Sequence, residues 1–173
     1  MSQQVDRLAL AFQSLALTIP ERGNVLVLRA VPSPFLDMMP AGRLRCVQSF
    51  RPIHDALAAR GHFVSPLAEG PASMVVVNLT RSRAESLGNI ALGLDILPPG
   101  GRLAVAGAKS EGVDSVARQV ARQIKLDGAF VKAHGRVFWL TRPDTLPPEI
   151  AQWARAAEPS PNATYTPEAV LDG

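Results

Sequence analysis

PPGGRLAVAGAKSEGVDSVARQVARQIKLDGAFVKAHGRVFWLTR, residues 98–142, is the stretch whose reading decides the fold. Its opening Pro-Pro-Gly-Gly is a turn, because Pro presets φ and Gly tolerates positive φ. The apolar run Leu103 to Ala108 that follows is predicted to be a strand. A Gly/Lys/Ser/Glu/Gly loop separates it from Val113, Val116, Val120 and Ile124, which recur at helical spacing. The last part reads as two strands folded back on each other around His134-Gly135, with the glycine supplying positive φ.

Two motifs inside this stretch, Gly107-Ala-Lys109-Ser-Glu-Gly112-Val-Asp114-Ser115 and Lys132-Ala-His-Gly-Arg-Val-Phe-Trp139, carry a resemblance, and Gln48-Ser-Phe50-Arg-Pro52-Ile-His-Asp55-Ala-Leu57 upstream fits it. Over residues 5 to 142 the chain resembles the N-terminal half of the bacterial small-subunit ribosomal RNA guanine-N2 methyltransferases of the C type. A strand, a helix and then a hairpin is also how class I methyltransferase folds finish. In such enzymes two related domains sit in tandem, and the C-terminal one binds S-adenosylmethionine and does the chemistry. The resemblance implies that this chain stops before that second domain begins.

The totals are those of one globular domain. At 173 residues the chain is long enough to bury its own core. Hydrophobic residues at 47% and charged residues at 19% argue against disorder. No apolar run approaches the roughly 18 residues of a membrane span. The N-terminus lacks a basic region and a cleavage site, so the expected location is the cytoplasm. A net charge of +3 and a pI near 9.6 suit an RNA partner without requiring one. The single cysteine, Cys46, lies in an apolar-alternating segment and reads as a buried, inert thiol. The three histidines, His54, His62 and His134, have no zinc spacing, and no metal site is expected.

Taken in order, residues 4 to 17 place Val5, Leu8, Leu10, Ala11, Leu15 and Ala16 on one face of a leading helix. Val25 to Leu28, Leu44 to Phe50, His62 to Ser65 and Met74 to Val77 are strand candidates, and Arg51-Pro52 opens a helix closed by Gly61. Ser82 and Glu85 form a capping-box pattern for a helix through Ile96, whose apolar face is Leu87, Ile90, Ala91, Leu94 and Leu97. Glu149 to Ala157 is a short helix carrying Trp153. Residues 1–157 are expected to form one domain and 158–173 read as a linker or tail; the resemblance implies that the domain is methyltransferase-like and that the tail leads toward an absent catalytic domain. The expected fold is α/β, a mostly parallel sheet of about seven strands ending in an antiparallel hairpin; the resemblance implies that it is a degenerate class I methyltransferase (Rossmann-like) fold.

Both signatures of the chemistry are degenerate. A nucleotide-binding α/β domain follows its first strand with a glycine-rich turn, and a later acidic residue takes the ribose hydroxyls. Here the text is Arg29-Ala-Val-Pro-Ser-Pro-Phe-Leu-Asp37, with no glycine before Gly42 and two prolines that lack backbone donors. Amino-group methyltransferases end the fourth strand with an Asn or Asp, two prolines and an aromatic, which hold the exocyclic amine and stack the base. In Asn78-Leu-Thr-Arg81 only Asn78 matches. No catalytic or cofactor-binding residue is assigned, and no S-adenosylmethionine is expected on this chain.

Lys109, Lys132, His134 and Arg136 are candidates for a basic strip at the carboxyl ends of the strands, contacting RNA phosphates; the bland reading is a solvated loop and hairpin. Asp114 and Ser115 read as a helix N-terminus. Phe138 and Trp139 alternate on a strand, so one is expected in the core and the other at a face, where it stacks a base or packs on a second domain. Three functions follow: a non-catalytic domain that positions small-subunit ribosomal RNA and supports a catalytic methyltransferase domain; a complete small methyltransferase using Arg29 to Asp37 as an unusual cofactor turn; or an interaction module pairing with another copy around Phe138 and Trp139.

Overall fold

The computed structural model describes residues 5–158. The expected tail, 158–173, lies outside them apart from Glu158. Three strands that read as apolar runs, Val25–Leu28, Met74–Asn78 and Arg102–Ala108, do so because they are buried on both faces of the sheet. β1 (Val25–Leu28) is buried at every position and runs parallel to both β2 (Leu44–Val47) and β4 (Met74–Asn78). β3 (Val64–Ser65) adds to the far side of β2, and β5 (Arg102–Ala108) to the far side of β4. β7 (Gly135–Thr141) is antiparallel to β5, and β6 (Gly128–Val131) pairs antiparallel with β7. The order β3-β2-β1-β4-β5-β7-β6 is that of a class I methyltransferase (Rossmann-like) fold, as expected.

Period-two alternation divides the core into two layers. Leu26, Val75, Val77, Leu103, Val105 and Phe138 face α4 (Arg83–Ile96), α5 (Val113–Ala121) and α6 (Pro148–Ala157). Val25, Val27, Val76, Ala104 and Trp139 face α1 (Arg7–Gln13), α2 (Pro34–Met38) and α3 (Arg51–Ala59). Phe138 and Trp139 are thus both buried, at 0% and 6% exposure, in opposite layers. The expectation that one of them reaches a face is corrected: the sheet is covered on both sides here. The surface around Trp139 that was to pair with another copy is interior.

The leading helix is shorter than its pattern. It buries Leu8, Ala9, Ala11 and Phe12, while Leu15 is exposed beyond its end. Phe12 stacks on Phe35 with ring centroids 5.4 Å apart, joining α1 to α2. Ser82 caps α4 as expected by accepting from the Glu85 N–H at 3.2 Å. The reciprocal half of the box is missing, because the Ser82 N–H donates to Thr80 Oγ1 and the Glu85 carboxylate turns to Arg29. Gly112, at φ +76°, is the N-cap of α5, so Asp114 and Ser115 fall in its first turn.

The hairpin between β6 and β7 reverses in two residues. Ala133 and His134 sit at φ +52° and +58°, the left-handed pair that a tight hairpin turn requires. Positive φ therefore belongs to Ala133 and His134, not to Gly135 as the sequence suggested. Three donors hold this turn. Arg7 donates to the carbonyls of Lys132 (2.9 Å) and Ala133 (2.7 Å), and the Lys109 N–H donates to the carbonyl of His134 (2.9 Å).

Candidate functional site

The carboxyl ends of β1, β2, β4 and β5 lie along one edge of the sheet, and the β6–β7 turn falls at the same edge. Open α/β sheets bind ligands there, at the crevice where strand order reverses. In this chain β1 and β4 flank that reversal, and a cavity of about 570 Å³ opens above them.

The polar groups of this crevice are engaged with one another. Arg29 ends β1 in a left-handed conformation, φ +56°, where glycine is the usual occupant. Its guanidinium pairs with Glu85, and its carbonyl accepts from Asn78 Nδ2 at 3.2 Å. Gln48 stands twenty positions after Leu28, where an acidic residue would take ribose hydroxyls. It is buried, donates through Nε2 to the Ala30 carbonyl at 2.8 Å, and accepts the Phe50 N–H at 3.0 Å. Asp6 accepts from the N–H of Ala9 (2.9 Å) and from that of Phe35 (2.8 Å), so one carboxylate caps α1 and ties it to α2. Glu111 accepts from the Ala108 N–H at 2.8 Å.

A nucleoside cofactor needs an acceptor pair for its ribose and free N–H groups where the backbone comes close. Gln48 is neutral with both ends of its amide engaged, and Pro32 and Pro34 bring no N–H to the turn after β1. The residues present do not fit S-adenosylmethionine in the manner of the fold. Asn78 likewise turns to the Arg29 carbonyl, Leu79 behind it is buried, and Arg81 is exposed.

The structure brings the basic candidates together at one end of the crevice edge. Lys109, Lys132 and His134 are exposed around the hairpin tip. Arg136 lies further in and pairs with Asp114 at 3.0 Å. The Asp114 carboxylate is therefore engaged, and Ser115 Oγ is held by Arg83. Sequence reasoning missed Arg7, which is 125 residues from Lys132 in the chain and has no local signal. It also missed α2, five residues inside a proline-rich text.

Cys46 is buried on the α1–α3 face of the sheet, and burial pushes its thiol up to about 11. His54 and His62 lie near Asp55 (3.4 Å) and Asp37 (3.7 Å). Among the described residues no group of three or more His, Cys, Asp or Glu side chains could hold a metal ion, and no helix is long and apolar enough to cross a membrane.

No protein-family model and no curated protein sequence matches the chain. Solved structures do match its fold. A 16S rRNA N2 methyltransferase of Thermus thermophilus, determined with AdoMet and guanosine, superposes with a TM-score of 0.64 at 18% identity. That match covers 84% of this chain and 41% of the Thermus chain, so this chain spans about two fifths of its length. An rRNA methylase of Streptococcus thermophilus matches with a TM-score of 0.55 at 15% identity, over 82% of this chain and 99% of that one. An RNA methyltransferase of Salinibacter ruber, determined with S-adenosyl-L-homocysteine, gives 0.56 at 12% identity, over 87% and 99%. At these identities the likeness is one of fold.

Proposed function

We propose that this chain is a methyltransferase-fold domain that works without a cofactor of its own, the N-terminal domain of a bacterial small-subunit rRNA guanine-N2 methyltransferase of the C type. Residues 1–157 form the domain, and 158–173 lead toward a catalytic domain that binds S-adenosylmethionine. The role of this half is to position the RNA in the cytoplasm and to support its catalytic partner. One observation carries the reading: the polar groups where a cofactor or a target amine would sit, Arg29, Gln48 and Asn78, are tied to one another and to the chain. Lys109, Lys132, His134 and Arg136 supply the phosphate contacts, which fix orientation without reading sequence.

Calorimetric titration of the 173-residue chain with S-adenosylmethionine tests this. No saturable heat at millimolar cofactor is the expected result. Saturation at micromolar cofactor would overturn the reading in favour of a complete small methyltransferase built on Arg29 to Asp37. That second reading has its own support: the matched region makes up 99% of the Streptococcus and Salinibacter chains.

A further inference from the structure

We propose that the carboxyl edge of the sheet binds single-stranded RNA, with Phe50 as a stacking platform at one end and Lys109 and Lys132 holding phosphates at the other. This rests on the reading of the chain as an RNA-positioning domain and names the form of RNA it takes.

Two distributions support it. Four of the eight large apolar side chains exposed among the described residues lie at this edge. Val31 follows β1, Phe50 follows β2, Leu67 follows β3, and Val131 ends β6. Single exposed apolar residues are ordinary, but a set that shares one edge marks an interaction surface. Phe50 is 56% exposed, and its main chain is fixed by the bond from its N–H to Gln48 Oε1. A fixed backbone under an exposed ring is a prepared stacking face.

Charge at the edge is the second distribution. Asp37, Glu85 and Asp114 are each paired with an arginine, and Asp6 and Glu111 with backbone N–H groups. Arg81, Lys109 and Lys132, all exposed, have no carboxylate within 4 Å among the described residues. The edge therefore offers apolar faces together with cations whose charge is not locally cancelled. A duplex presents phosphates but keeps its bases stacked inside, and has no use for Phe50. A single strand presents both, and base–aromatic stacking works alongside electrostatic tracking of the backbone. From β2 to β7 the sheet order counts four strand spacings, or about 19 Å. A short run of nucleotides crosses that distance.

The test is fluorescence anisotropy across a salt series, using a labelled oligouridine and a labelled RNA hairpin without single-stranded arms. The expected result is tighter binding of oligouridine. Phe50→Ala should weaken it about tenfold with the salt slope unchanged, while Phe50→Tyr retains it. Lys132→Ala should flatten the slope by about 0.7. Equal binding of the hairpin, or indifference to Phe50→Ala, overturns the single-strand inference and leaves RNA positioning standing. Polyglutamate displacing the oligomer as well as unlabelled oligouridine does also overturns it. Failure of both RNAs to bind at low salt removes the RNA-positioning reading itself.

Discussion

The guanidinium of Arg7 lies directly over the α-carbon of Gly135, two residues that nearly the whole domain separates in sequence. A Cβ at position 135 would stand 2.6 Å from the Gly107 carbonyl and closer still to the Arg7 side chain. Gly135 is therefore required for close approach, with α1 latched on one side and β5 on the other.

Gly135→Ala should destabilise the domain by about 2 kcal/mol, the range of overpacking a tight contact. Urea unfolding of the single variant and of Arg7→Ala/Gly135→Ala checks this. The pair should recover part of the loss by removing one clash, and not all of it, because the Gly107 carbonyl stays.

The strand and helix order was legible because Val25–Leu28 and Met74–Val77, buried on both faces, read as unbroken apolar runs. The lack of glycine in the turn after β1, with Pro32 and Pro34 in it, is read from the sequence directly. What stayed hidden depends on partners remote in sequence. Gly135 looked like a turn residue because nothing local announces Arg7. Glu85 looked like half of a capping box because its real partner, Arg29, lies 56 residues upstream. Phe138 and Trp139 looked like one core ring and one face ring because a strand covered on both faces cannot be told, residue by residue, from one half covered.

Arg29 couples backbone strain to an ion pair, and two substitutions separate the effects. A left-handed residue other than glycine costs roughly 1–2 kcal/mol, and its half-exposed pair with Glu85 returns about 0–1 kcal/mol. Arg29→Gly should remain within about 1 kcal/mol of the parent and exceed Arg29→Ala in stability by about 1 kcal/mol. Thermal unfolding of the two variants decides the order; a more stable Arg29→Ala would contradict it.

Asp6 caps one helix and holds another. Asp6→Ala should cost about 1–2 kcal/mol, as loss of an N-cap does. Hydrogen exchange adds a local readout: the Phe35 amide, whose acceptor at 2.8 Å disappears, should lose protection beyond the global change.

Cys46 makes stability fall at high pH. Its folded thiol titrates at about 11, against an ordinary value of 9.0. Between those values the unfolded chain has released a proton that the folded chain retains, so unfolding gains as pH rises. Below about 9 both states are protonated and the contribution is flat. Cys46→Ser should flatten the decline of urea midpoints across this window. In the parent at pH 8, a thiol reagent should react slowly until urea exposes the residue.

The latch of Arg7 on the β6–β7 turn also sets an order of assembly on the ribosome. Arg7 is synthesised more than 120 residues before its acceptors on Lys132 and Ala133. At 5–20 residues per second that interval is on the order of ten seconds. Meanwhile Leu8 and Phe12 belong to a helix whose inner end can stack on Phe35 but whose outer end has nowhere to settle. The nascent chain thus carries α1 unfinished while more than 120 further residues are added, and the β6–β7 hairpin is what fastens it.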